Sequence, residues 1–151
     1  MLFEYHNHPF TISTDSTRLD LDVIHSFLYH CYWSPGVPRE VVAQAINHSL
    51  NFGLYEEKQQ IGFASVVSDY TSFAYLADVF VLPSHRGHGL GVWLIDCIIN
   101  CPALQSIRSF TLATRDAHSL YRKFGFEAAD ERRYMVKRYD VPWRDQALIQ
   151  E

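Results

Sequence analysis

Apolar positions recur along the chain with two different periods, and each change of period marks a new element. Residues from Phe3 to Ser13 read as an opening strand interrupted by Pro9, and Asp15-Ser16-Thr17 as a turn. Leu19, Leu21, Val23, Ile24, Phe27 and Leu28 recur at near-helical spacing and predict a first helix from about Asp20 to Tyr32. Trp33-Ser34-Pro35-Gly36-Val37-Pro38 breaks it. Pro38 suits the opening of a second helix, where its missing N–H is not needed. Val41, Val42, Ala45, Ile46 and Leu50 give that helix an apolar face. Two runs, Phe52 to Glu56 and Ile61 to Ser68, flank Glu57-Lys58-Gln59 and predict a hairpin. After a turn over Asp69 to Ser72, the stretch from Phe73 to Leu82 reads as a long strand ended by Pro83. Val92, Leu94, Ile95, Ile98 and Ile99 form the apolar face of a third helix, stopped by Pro102. A short buried strand is expected from Phe110 to Ala113, and a short helix from Ala117 to Phe124, closed by Gly125. Phe126 and Tyr134 to Lys137 are expected to supply the last strands. The order is β-α-α-β-β-β-α-β-α-β-β, which describes a mixed α/β sheet rather than a strictly alternating parallel one.

The chain has 151 residues, of which 48% are hydrophobic and 20% charged, enough apolar material for one core. We expect one domain over residues 1–138 and a polar tail over 139–151, relieved by Val141, Trp143, Leu148 and Ile149. Thirteen Lys and Arg stand against 17 Asp and Glu. That balance argues against a nucleic-acid partner, whose phosphates need clustered cations. No apolar run approaches the roughly 18–20 residues that span a bilayer. The start, MLFEYHNHPF, lacks the basic and apolar segments of a secretory leader, so a cytoplasmic protein with no membrane partner is expected. Cys31, Cys97 and Cys101 are an odd, irregular set, which fits small buried hydrophobes better than a disulfide framework. No further ligands are spaced to make a zinc site with Cys97 and Cys101, so no metal is expected.

Chemistry concentrates in Tyr75 to Gly91, YLADVFVLPSHRGHGLG, which reads strand, glycine-rich turn, helix. A helix N-terminus offers unpaired N–H groups and a positive dipole end, and glycines let an anion approach them. Such a turn can cradle a pyrophosphate. Neither the Walker pattern nor the dinucleotide Gly-x-Gly-x-x-Gly fits, since Val92-Trp93 follows Gly91 and no third glycine falls in place. A tight turn without a ligand is the competing structural account.

Arg86-Gly87-His88-Gly89-Leu90-Gly91 resembles the R/Q-x-x-G-x-G/A signature of the GNAT superfamily of acetyl-CoA-dependent N-acetyltransferases, and it follows a strand ending Val79-Phe80-Val81. Downstream, Ala117-His118-Ser119-Leu120-Tyr121-Arg122-Lys123-Phe124-Gly125-Phe126 looks like that family's A-x-x-L-Y-x-K-x-G-F. The resemblance is close from about Phe52 to Val136. It implies a twisted sheet of about six to seven strands with helices on both faces, the fourth strand splaying from the fifth at a bulge. It implies that backbone groups of Val79 and Val81, with Phe80 between, pair with the pantetheine arm of acetyl-CoA. The pyrophosphate would then rest on the amides of Arg86, Gly87, His88, Gly89, Leu90 and Gly91. Tyr121 takes the place of the family's helix tyrosine, which protonates the departing thiolate. Thr114 stands where many members carry a cofactor-contacting Asn. The attacking amine must lose a proton, and Asp78 or Tyr75, on the strand leading to the bulge, is placed to take it directly or through water, unless no protein base is used. Tyr32, Trp33 and the loop after them fall where the family lines its acceptor site, so Trp33 either touches acceptor or packs under the loop. Arg115, Arg122 and Lys123 are either phosphate contacts or solvated surface charge. The implied activity is transfer of the acetyl group to a primary amine of a small molecule or peptide, by a monomer or homodimer. A non-catalytic acyl-CoA-binding or sensing module is the alternative.

Overall fold

The computed structural model describes residues 1–144. Its sheet has six strands in sequence order: β1 (Glu4–Asn7), β2 (Phe10–Ser13), β3 (Leu50–Glu56), β4 (Gln59–Ser68), β5 (Phe73–Val81) and β6 (Ser109–Leu112). Neighbours are antiparallel except β5 and β6, which are parallel. A parallel pair needs a long crossover, and here it is the helix α3 (Leu90–Ile99). The remaining helices are α1 (Leu21–His30), α2 (Arg39–Asn47) and α4 (His118–Arg122). The mixed α/β sheet with flanking helices is the one expected. Pro9 divides the opening strand into two, so the expected fourth and fifth strands are β5 and β6.

Helices cover both faces. On one face Leu90, Leu94, Ile95, Cys97 and Ile98 of α3 and Tyr121 of α4 pack on Ile12, Phe52, Leu54, Ile61, Val66 and Leu76. Val92 is 47% exposed, so the apolar face of α3 runs through Leu90 and Cys97 rather than Val92. On the other face Ile24 and Leu28 of α1 and Val42 of α2 meet Phe63 of β4 and Phe80 of β5. Trp143 packs against this second cluster and brings the start of the tail back to the sheet. Leu148 and Ile149 lie outside the described residues. Among the described residues no helix is long and apolar enough to cross a membrane.

The last strands do not form. Gly125, with φ +91°, ends α4 as the residue after a helix often does. The Phe126 N–H then donates to the Tyr121 carbonyl, and its ring packs edge-on against Phe110 and Tyr121. Phe126 is thus part of the helix cap. The Asp130 carbonyl accepts from Arg133 and Tyr134, a turn that consumes groups a ladder would need. Met135 is 97% exposed and Val136 73%. No sheet neighbour buries them.

Candidate active site

The pairing of β5 changes partway along its length. Phe73 to Leu76 register with Ser109 to Leu112 of β6. Beyond Leu76, β5 runs on to Val81 without that partner. On its other side it stays with β4, but Ser65 faces Ala77 while Phe63 faces Phe80. Two steps on β4 against three on β5 leave one extra residue, a β-bulge. Asp78 holds the left-handed conformation that the bulge requires, with φ +55°.

The extra residue reverses which face each later side chain meets, because strand side chains alternate. Ala74 and Leu76 point into the α3 core before the bulge; Val79 and Val81 do so after it. Asp78 and Phe80 are therefore turned towards α1 and α2. Backbone directions alternate too. The Leu82 N–H donates to Ile61 on the β4 side at 2.8 Å. Phe80 faces the same way, and Val79 and Val81 present their N–H and C=O to the side β6 has left. The Val81 carbonyl accepts from Arg86 Nε at 2.9 Å. Gly62 lets β4 come close at this point, since a Cβ there would lie 2.9 Å from the Phe80 carbonyl oxygen.

The strand leads directly into the glycine turn. Gly87 and Gly89 have φ +85° and +74°, and nothing lies within 4 Å of where their Cβ atoms would be. Gly89 opens α3, with its carbonyl accepting from the Trp93 N–H at 3.0 Å. Residues Arg86 to Gly91 thus leave an open, glycine-paved approach to the first amides of α3, a surface that fits a diphosphate. His88 is exposed and Leu90 is buried in the core beneath. His85 Nε2 lies 2.5 Å from Glu56 Oε2 and anchors the turn's start to β3.

Tyr121 packs from α4 into the α3-side core. It is 9% exposed, and burial, with a smaller contribution from Tyr32, raises its phenol pKa. Thr114 Oγ1 accepts from the Ala117 N–H at 3.1 Å and so shapes the loop that launches α4. Asp78 sits on the opposite face. Burial raises its pKa, and the Trp33 indole N–H, donating to Oδ1 at 2.9 Å, partly offsets that. Tyr75, 38% exposed, lies on the stretch of β5 that is still paired with β6.

Trp33 owes its position to the way α1 ends. Ser34 Oγ donates to the Leu28 carbonyl at 2.8 Å, and the Gly36 N–H to that of Tyr29 at 2.9 Å. These bonds fold the loop back over the last turn of α1, as orphan helix carbonyls favour. Trp33 packs edge-on against Tyr32 at 5.1 Å, and the Arg115 guanidinium lies 3.8 Å over the Tyr32 ring. Tyr32 thus links the loop holding Asp78 to the segment leading into α4. Its importance had no periodic signal, because the loop breaks the pattern. Arg115 makes a ring contact with Tyr32.

Two cavities flank α1. A groove of about 560 Å³ is lined by Asp22, Val23, Ser26, Phe27, Cys31 and Leu82, among others. Leu82 enters the glycine turn, and Cys31 lies near enough to Asp78 for that carboxylate to help raise the thiol's pKa, after burial. A smaller cavity, about 90 Å³, lies between α1, α2 and β4, with walls including Leu28, Val37, Val42, Ile46 and Phe63. Its polar groups are Ser34, Ser65 and Asp78. Cys97 and Cys101 are buried. Among the described residues no three His, Cys, Asp or Glu side chains converge.

Comparison with known proteins places this geometry. Residues 47–128 match the model of the acetyltransferase (GNAT) domain. A Gibberella zeae protein named as an acetyltransferase is 31% identical over 137 residues, covering 76% of each chain. A GNAT-family structure from Xanthomonas campestris is 44% identical, covers 91% of this chain and 96% of its own, and superposes with a TM-score of 0.84. An acetyltransferase from Clostridium acetobutylicum, solved with acetyl-CoA, shares the fold at 17% identity and TM-score 0.60, covering 80% of this chain and 92% of its own.

Proposed function

The chain belongs to the GNAT family of acetyl-CoA-dependent acetyltransferases, and from that premise we propose that it acetylates a primary amine of a small molecule or peptide by direct attack. The observation that carries the reading is the bulge at Asp78, beyond the last pair with β6, where Val79 and Val81 present an edge without a strand partner beside the open glycine turn. Acetyl-CoA, when bound, supplies the activated acetyl thioester. The amides of Arg86 to Gly91 would hold its diphosphate, and the free edge of Val79 and Val81 its pantetheine arm. The Val81 N–H, fixed by the strand, suits an oxyanion contact, a type of interaction worth ~2.7–4 kcal/mol elsewhere.

Two acids with different surroundings divide the proton work. Tyr121, with its pKa raised, keeps its proton through the neutral range and has one to give to a leaving thiolate. Asp78, also raised but still a carboxyl, can take one from an incoming ammonium. They stand on opposite faces of the sheet. The groove along α1 gives the acceptor its approach. Trp33 acts by holding the Asp78 carboxylate.

Calorimetry with acetyl-CoA and an acceptor screen read by thiol release test the reading. Acetyl-CoA at 100 times its Kd should stabilise the protein by about 2.7 kcal/mol. Thiol release that rises with amine, and mass-detected acetyl amide, are expected. Cofactor binding without amine-dependent release across acceptors would overturn it.

A further inference from the structure

The small cavity beside Asp78 is unlike the rest of the second core. Apolar side chains from α1, the following loop, α2 and β4 wall it, among them Leu28, Val37, Val42, Ile46 and Phe63. One carboxyl enters it. Among the described residues no cation pairs with that carboxyl, and its hydrogen bond is the one from Trp33. Burying an ionised group in an apolar wall without a counter-charge is costly, so such a site gains most from a cation that brings its own apolar body. Size then narrows the occupant. The cavity measures about 90 Å³. That is below the roughly 150 Å³ at which an apolar cavity takes benzene, and on the order of three water volumes, room for about three or four carbon atoms.

We infer that the cavity between α1, α2 and β4 is the pocket for the acceptor's substituent, and that the acceptor is a primary amine carrying a short, branched aliphatic group, with its ammonium at Asp78. The inference rests on the amine-transfer reading and deepens it. The bulge explains why pocket and acetyl site coincide. The extra residue that follows the last pair with β6 and turns Val79 and Val81 towards the α3 core swings Asp78 out of that core and into this cavity. An amine held by Asp78 is therefore one residue from the backbone edge offered to the thioester. Aromatic amines are excluded by volume, and methylamine leaves the pocket unfilled.

The test compares methylamine, isobutylamine and benzylamine as acceptors, with amine binding in the presence of acetyl-CoA followed separately by saturation-transfer NMR. Isobutylamine should have the lowest KM. Ala45, exposed on α2 at the pocket's edge, offers a blocking variant that leaves the core intact. Ala45→Phe should raise the isobutylamine KM about tenfold or more, the worth of two buried methylenes, and leave methylamine unaffected. Val42→Ala should admit benzylamine. Equal use of all three amines, with Ala45→Phe silent, would overturn the pocket and leave amine transfer standing. Isobutylamine binding lost in Ala45→Phe without any acetyl transfer would keep the pocket and overturn the transfer. Failure of every amine to bind would overturn both.

Discussion

On the α3 face of the sheet, the buried set runs from Ile12 through Phe52, Leu54 and Val66 to Leu94, Ile95 and Ile98, and is filled by aliphatic and aromatic side chains. On the α1 face the core is smaller, and Ser34, Ser65 and Asp78 line a void within it. The α3 face also supports the glycine turn and Tyr121, which the proposed function gives to the cofactor and its leaving thiolate, common to any acceptor. The α1 face carries an acid, an indole that holds it, and unfilled volume. Close packing specifies one structure and leaves little room. Loose, partly polar packing costs stability and leaves a place for something else. On the proposed function, the rigid side serves the constant substrate and the looser side the one that must be selected.

The sharpest way to break that division is Tyr121→Phe, which removes one hydroxyl from the packed side. If it protonates the leaving group, kcat should fall by on the order of 10²–10⁴ while acetyl-CoA affinity changes little. Steady-state kinetics on an acceptor found by screening decide it. Wild-type turnover, with chemistry rate-limiting, would return Tyr121 to a packing role.

Asp78→Asn acts on the looser side and should move activity and stability in opposite directions. The activity loss expected is about 10², the lower end for a positioned base. The sign of the stability change follows from linkage. Burial raises the Asp78 pKa in the folded state. Between the unfolded and folded values the native state therefore binds more protons, and stability falls as pH rises through that window. Asn removes the cost of the buried charge while still accepting from Trp33. The melting temperature of Asp78→Asn should exceed wild type at pH 7, and the gap should close as pH falls below the unfolded carboxyl pKa near 3.9. Equal melting temperatures across that range would mean the carboxyl is not desolvated.

Gly89→Asp returns to the first side and has a smaller expected effect. No neighbour obstructs the new Cβ, so the fold should survive despite φ +74°, a conformation Asp visits more readily than most residues. A carboxylate at the opening of α3 repels a diphosphate, and acetyl-CoA affinity should drop about tenfold, measured by calorimetry. With an acceptor in excess, KM for acetyl-CoA should rise by a similar factor and kcat should be nearly unchanged. Undiminished affinity would remove the turn from the cofactor site.

Much of the candidate site was legible in the chain, for reasons that differ by residue. The glycine turn and the short helix expected from Ala117 to Phe124 are local, so the pattern of residues exposes them, and the family resemblance supplies their roles. Asp78 stood out as a charge within LADVFV, and a β-bulge accounts for it. The bulge itself was an expectation of the family resemblance. Its consequence, the reversal of facing that sends Asp78 towards α1, needed the register against β4. Trp33 and Tyr32 were left open because a loop has no period to read, and their roles depend on contacts 45 residues apart and more, as from Trp33 to Asp78. The absent last strands failed for another reason. Tyr134 to Lys137 has strand-forming residues, but Gly125 and the Asp130 turn commit the chain elsewhere, and propensity yields to such context.

The smallest effect should come from the wall of the looser side. Asp20 caps α1, its Oδ1 accepting from the Asp22 and Val23 N–H groups at 3.1 and 3.2 Å. Its own N–H donates to buried Gln60 Oε1 at 2.7 Å, a backbone bond that substitution keeps. Asp20→Ala therefore deletes the cap alone and should cost about 1 kcal/mol. For a chain of this size that lowers the melting temperature by roughly 2–4 °C. Because α1 walls both cavities, the looser side should feel the loss first: hydrogen exchange should quicken in the first turn of α1, and the acceptor KM should rise by about twofold or less. Protection in α3 and affinity for acetyl-CoA should stay as they are. Were α3 to lose protection in step with α1, the two faces would unfold as one unit, and the functional division between them would have no counterpart in local stability.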